Sequence, residues 1–198
     1  MTAGTRLHAG EKRNASTGLL ISLFLDETPL ASDDQTTGRK ITMENQLFTA
    51  QQENYLTQIK IPLRLACLNS GGWPVVLSLW YLYRNGQLFC ATQASAKVVQ
   101  YLRQQPRCGF EIAADEPPYC GLRGHGEAEI RADIGHEILE QVLLRYTGGL
   151  NHALASRLRA KSANEVAIVI TPRVVFTWNY TDRMASAEPT PASKPCPE

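Results

Sequence analysis

The sequence predicts a mainly β protein: six antiparallel strands closing toward a barrel, with helices on its flanks. Three observations carry this. Residues 74–83 alternate strictly, with Val75, Leu77, Leu79, Tyr81 and Tyr83 pointing one way and Val76, Ser78, Trp80 and Leu82 the other, which is the period of a strand. Asn85-Gly86 follows at once, and that pair is a strong two-residue hairpin signal. The remaining strand-like segments are joined by turns and short helices, without the regular alternation that builds a parallel sheet.

In chain order, residues 44–58 read as a helix with Leu47, Phe48, Tyr55 and Leu56 on its apolar side, closed by Pro62. Residues 63–69 form a short strand, and Asn69-Ser70-Gly71-Gly72 a turn. The strand over 74–83 is apolar on both faces. A free-standing antiparallel sheet would keep one face wet, so the second face is expected to meet a cofactor or another subunit. Residues 87–92 are its hairpin partner. Residues 95–104 are helical, with Ser95 as the expected N-cap and Pro106 beyond the end.

Residues 108–113 form a strand, broken by Asp115-Glu116-Pro117-Pro118. Residues 119–131 form a longer one, with one face wet through Arg123, His125, Glu127, Glu129 and Arg131. Gly121, Gly124 and Gly126 within it predict a bend or bulge. Asp133 is the expected cap of a helix that runs to Tyr146 and stops at Gly148-Gly149. Leu150, Leu154 and Leu158 mark a short helix. Residues 165–171 and, after Pro172, residues 173–180 are read as two strands, the second with Val174, Phe176, Trp178 and Tyr180 on one face.

The chain divides into an N-terminal extension at 1–42, expected to be poorly ordered, a barrel domain at 43–184, and a disordered Pro-rich tail at 185–198. Met43 is an alternative start of translation. The net charge is +1 over 198 residues, so there is no field to gather nucleic acid or an acidic membrane. The apolar run at Gly18–Leu25 is too short to cross a bilayer. Five cysteines show no C-x-x-C pair, and four histidines are scattered; no metal spacing emerges. Reduced core thiols in a cytoplasmic protein are the expectation.

The stretch with chemical content is Thr92-Gln93-Ala94-Ser95-Ala96-Lys97. A strand ends and a helix begins there. The first turn of a helix offers unpaired N–H groups and the positive end of its dipole. Two hydroxyls and an ammonium beside it make the parts of a phosphate site. The competing reading is a capped helix with a solvated lysine.

In order and spacing, Gly72-Trp73-Pro74-Val75-Val76-Leu77-Ser78-Leu79-Trp80-Tyr81, the hairpin through Thr92, Ser95-Ala96-Lys97, Gln105-Pro106, Gly124–Ile130 and the closing strand Val174–Tyr180 resemble the pyridoxamine 5′-phosphate oxidase-like superfamily over residues 45–182. The resemblance implies a six-stranded split β-barrel of Greek-key type, homodimeric, with FMN or alternatively the deazaflavin F420 at the dimer interface. By position it implies Thr92, Ser95 and Lys97 at the phosphate, Val76, Leu77, Ser78 and Leu79 along the ring, Trp80 beside it, and Trp178 reaching in from the second subunit. Residues 75–83 hold no Lys or Arg, where the vitamin B6 oxidases carry a basic residue, and Asp182-Arg183 is the nearest match to their C-terminal Arg motif. Vitamin B6 oxidation is therefore not expected; Arg64 is the candidate to supply the missing charge.

Three functions follow for test. One is a flavin- or deazaflavin-dependent oxidoreductase acting on a small molecule. A second is a non-catalytic cofactor-binding, haem-handling or stress module, for which His125 is the histidine on a barrel strand. The third is a structural dimer with an empty site. Fold alone does not choose among them.

Overall fold

A computed structural model describes residues 47–150, 153–160, 162–184 and 196–197. The expectations for residues 1–42 and for most of the tail fall outside these. Strands β1 (Leu63–Leu68), β2 (Pro74–Leu79), β3 (Tyr81–Arg84), β4 (Gln87–Gln93), β5 (Arg107–Ala113), β6 (Cys120–Arg131) and β7 (Glu165–Asn179) form one antiparallel sheet in the order β2-β1-β5-β6-β7-β4-β3. The sheet curls into a half-barrel. Helices α1 (Ala50–Gln58), α2 (Lys97–Gln104), α3 (Gly135–Thr147), α4 (Ala153–Arg159) and α5 (Thr181–Met184) accompany it.

The strand count is seven where six were expected, because two segments behave differently from their sequence reading. Residues 74–84 split at Trp80 into β2 and β3. These are the two edges of the sheet, so the chain itself bridges the edges at one corner. Conversely, Pro172 does not divide β7. It stands opposite the register shift between His125 and Gly126, where the ladder is already interrupted and a missing N–H costs least. The glycines of β6 permit this close crossing: a Cβ on Gly126 would lie 2.2 Å from the Thr171 carbonyl oxygen.

The hairpin behaves as the sequence predicts. Asn85 and Gly86 take φ of 48° and 78°, the pair of positive values that a type I′ turn needs. Gly148 closes α3 in the left-handed conformation at φ 73°. The start of α1, expected near residue 44, and two expected caps differ from the sequence reading. α1 starts at Ala50 with a capping box between Thr49 and Gln52. α2 has Ala96 as its N-cap with no side-chain bond, so Ser95 is not a cap. Asp133 pairs with Arg131 at 2.6 Å instead of capping α3, and this pairing holds its carboxyl below the usual range.

The main core fills the inside of the curl. Leu63 and Leu65 of β1, Tyr81 of β3, Leu88 and Cys90 of β4, Phe110 and Ile112 of β5, Leu122 of β6 and Ile168 of β7 meet Tyr55 and Leu56 of α1 and Val99 and Leu102 of α2. A second cluster lies on the outside. There α3 sets Ile138 and Val142 against Ala167 and Val169 of β7, with Trp80, Leu82, Phe89 and Ala91 packed alongside. The first half of β7 is thus buried on both faces, which explains its unbroken apolar run.

Cys67, Cys90 and Cys108 are buried free thiols, and burial pushes each thiol upward. That suits inert core residues. Cys120 is different: it forms a disulfide with Cys196. This corrects the expectation that all cysteines are reduced, and it ties position 196 to the start of β6. A bond of that kind persists most readily in an oxidising compartment. No described helix is long and apolar enough to cross a membrane.

Candidate functional site

One pocket of about 350 Å3 gathers part of the sequence-predicted site. It is lined by Ser78 and Leu79 at the end of β2, Trp80 at the corner, Ala91, Thr92 and Gln93 at the end of β4, Leu139 and Val142 of α3, Leu158 of α4 and Glu165 at the start of β7. Its lining is mostly apolar, with Ser78, Thr92, Gln93 and Glu165 as the polar side chains, the usual build of a small-molecule site. The open edge of β2 borders it. β2 is hydrogen-bonded to β1 alone, so one row of its backbone N–H and C=O groups lacks a ladder partner.

The other predicted residues fall around this pocket, not inside it. Leu77 points into the core, as the alternation of β2 requires. Val76 stands on the outer face, two-thirds exposed. Ser95 and Lys97 are exposed at the start of α2, just past the pocket residues Thr92 and Gln93. Trp178 lies on the outer face of β7, opposite Gly121, with the Arg123 guanidinium 5.7 Å from its ring centre. Trp80 stacks on Tyr146 of α3, with ring centres 4.9 Å apart and planes 7° from parallel. It serves as a wall fixed by packing within the chain.

Arg64, the candidate for a missing phosphate charge, is committed elsewhere. Its guanidinium pairs with Asp115 and lies 3.6 Å from Glu111, and it donates to the Ala113 carbonyl at 3.4 Å. Lys97 enters no ion pair among the described residues.

Two features escaped the sequence reading. Glu165 lines the pocket, and Gln93 donates to its Oε1. Burial raises its carboxyl pKa and that hydrogen bond lowers it, with burial the stronger effect. In the sequence Glu165 looks like an ordinary residue before an apolar strand; only the pairing of Gln93 with Glu165 across β4 and β7 reveals it. The second feature is a separate cavity of about 420 Å3, lined by Ala66, Cys67, Cys108, Arg107, His125, Glu127 and Arg173 among others. His125 is exposed on the outer face there. Arg173 pairs with Glu127 at 3.2 Å. Among the described residues, no group of three or more His, Cys, Asp or Glu side chains could hold a metal.

A curled antiparallel sheet whose two edge strands are joined at a corner, with a crevice where a strand hands over to a helix, defines a half-barrel protein. The chain shares this fold with solved structures of low sequence identity. It is similar to a conserved hypothetical protein of Mycobacterium tuberculosis, Rv2991, at TM-score 0.60 and 20% identity, covering 80% of this chain and 98% of that one. An F420 reductase matches at TM-score 0.53 and 21% identity, over 61% and 93%. General Stress Protein 26 of Bacillus anthracis matches at TM-score 0.51 and 15% identity, over 64% and 92%. No family model matches the chain, and no curated protein matches it.

Proposed function

We propose that the protein binds a flavin-type cofactor, FMN or alternatively F420, and acts as an oxidoreductase on a small molecule. The observation that carries this is the unpaired backbone edge of β2 running beside a largely apolar crevice, with Thr92, Ser95 and Lys97 following one another at the strand-to-helix corner. The bound ring would supply the hydride chemistry. The chain's own part is to orient and shelter. Peptide groups of Val76–Leu79 offer donors and acceptors to the rim of a planar heterocycle. Trp80, Ala91 and Val142 exclude water. Ser95 and Lys97 would meet a phosphate at the exposed start of α2. The phosphate belongs outside the pocket, because Glu165 inside it would repel an anion.

Lys97→Ala should weaken FMN or F420 binding by roughly ten- to a hundredfold, the worth of one charge-assisted hydrogen bond, while the melting temperature of the cofactor-free protein stays put. Ser95→Ala should weaken binding as well. Since Ala96 is the N-cap, it should leave stability unchanged. Fluorescence titration with each cofactor, beside thermal melts, checks both. Parental affinity in Lys97→Ala would remove the phosphate from this corner.

The cofactor reading goes with a homodimer. Trp73, Val76 and Leu68 are 73%, 66% and 42% exposed on and around the β1–β2 hairpin, and Val174, Phe176 and Trp178 are half-buried on the outer face of β7. Exposed apolar side chains on these strands favour a partner surface. Light scattering at micromolar concentration is expected to give twice the chain mass. A monomer would rule out a cofactor site shared between subunits.

A further inference from the structure

The second cavity shares no lining residue with the crevice beside β2, and its chemistry is of another kind. Ala66, Leu68 and Pro74 line it together with Cys67 and Cys108, and Gly109 and Gly126 add no side chain. At about 420 Å3 it has the size of a small-molecule site. Four polar side chains complete the lining: Arg107, His125, Glu127 and Arg173. All four are exposed to solvent, so their donors and acceptors are open to a ligand.

Sheet register explains why two arginines meet here. Arg107 and Glu127 are direct partners across β5 and β6. On β7, Pro172 faces Gly126 and Val174 faces His125, so Arg173 between them is the extra residue of a bulge. A bulge re-aims the side chain that it carries. Arg173 reaches Glu127 at 3.2 Å and balances that carboxylate. The Arg107 guanidinium enters no ion pair or hydrogen bond among the described residues. Two guanidiniums against one carboxylate leave the lining with an excess positive charge, and His125 adds an imidazole N–H donor. A free guanidinium offers the planar fork that a carboxylate accepts from in bidentate fashion.

We propose that this cavity binds a small aromatic or branched carboxylate, with Arg107 receiving the carboxylate, Arg173 and His125 assisting, and the apolar lining taking the hydrocarbon. The proposal goes beyond the cofactor reading and does not depend on it.

The test uses the full chain and three probes of one shape, 2-naphthoate, 2-naphthylmethanol and 2-naphthylmethylamine, in isothermal titration calorimetry at neutral pH. Naphthoate should bind, the alcohol about tenfold or more weakly, and the amine not measurably. Arg107→Gln breaks no described side-chain contact, so it should fold as the parent does. It should weaken naphthoate by roughly ten- to a hundredfold and leave the alcohol as in the parent. Glu127→Gln removes the carboxylate of the lining and releases Arg173, so it should tighten naphthoate by roughly three- to tenfold.

Amine binding as tight as that of naphthoate, or parental naphthoate affinity in Arg107→Gln, overturns the proposal. So does naphthoate affinity that Glu127→Gln leaves unchanged or weakens. No naphthoate binding at millimolar concentration overturns it too, and is what a second copy of the chain closing the cavity would give. Saturating FMN or F420 should leave naphthoate affinity as it was; competition would make this cavity part of a cofactor site and overturn the inference. A protein that binds naphthoate but neither FMN nor F420 keeps this inference and loses the cofactor reading. One that binds FMN but not naphthoate does the reverse.

Discussion

Arg145→Ala should lower the melting temperature by about 5–15 °C without abolishing the native fold. Arg145 lies in the last turn of α3, yet its guanidinium leaves that helix and donates to the carbonyls of Leu56, Thr57 and Ile59 at the end of α1. Those carbonyls are among the orphan acceptors at a helix C-terminus, and a cation there also opposes the negative end of the helix dipole. The same guanidinium sits 5.2 Å from the Tyr81 ring centre and 5.7 Å from that of Tyr146. Arg145 thus joins α1, α3 and β3. Hydrogen bonds to a charged group are worth about 1.5–3 kcal/mol each, with incomplete additivity. The Nε is buried without a partner among the described residues, which offsets part of the gain. A net loss of roughly 2–4 kcal/mol is expected, and a chain of this size converts each kcal/mol into about 2–4 °C. Arg145→Lys keeps the charge but lacks the planar fork, so it should recover only part of the loss. Thermal melts of both variants check this. A melting point in Arg145→Ala equal to the parent's would mean that the three carbonyls are as well served by water.

Gly135→Ala should do more damage than an ordinary glycine substitution, with little folded protein recovered or a melting temperature down by more than about 10 °C. Gly135 begins α3 and is buried. A Cβ there would lie 2.1 Å from the Glu165 carbonyl oxygen and 2.6 Å from Val166 Cα, both backbone atoms that no rotamer change can move aside. α3 and the start of β7 would have to separate. That would pull Ile138 and Val142 from Ala167 and Val169 and displace Glu165, which lines the pocket. Circular dichroism and thermal melts of the purified variant check this. Gly148→Ala is a useful contrast. Gly148 has φ 73° but nothing near its Cβ, so a cost of about 1 kcal/mol from the backbone alone is expected.

Local rules made much of the fold legible. The alternation over residues 74–83 correctly put Val75, Leu77 and Leu79 on one face, because side chains in a strand alternate whatever covers them; which face meets the core it did not say. Asn85-Gly86 and Gly148 were legible because positive φ selects the residues that tolerate it. The β6 glycines foretold a bulge, and the ladder shifts register at His125/Gly126. Proline was the misleading signal: Pro172 suggested a strand boundary, but the bulge opposite accommodates it and β7 runs on.

By itself the sequence determined the strand faces, the hairpin and the corner at Thr92–Lys97, since each depends on residues close together in the chain. What covers each face was a matter for the tertiary structure. The outward side of β2–β3 was expected to meet a cofactor or a second subunit. In the structure α3 covers Trp80 and Leu82 of that side, while Val76 stays exposed. The pairing of Cys120 with Cys196, 76 residues apart, the commitment of Arg64 to Asp115 and Glu111, and the meeting of Gln93 with Glu165 across β4 and β7 belong to the same class. Periodicity reports which way a side chain points. Its partner is set by strand order and helix docking, which bring together residues that no local pattern connects.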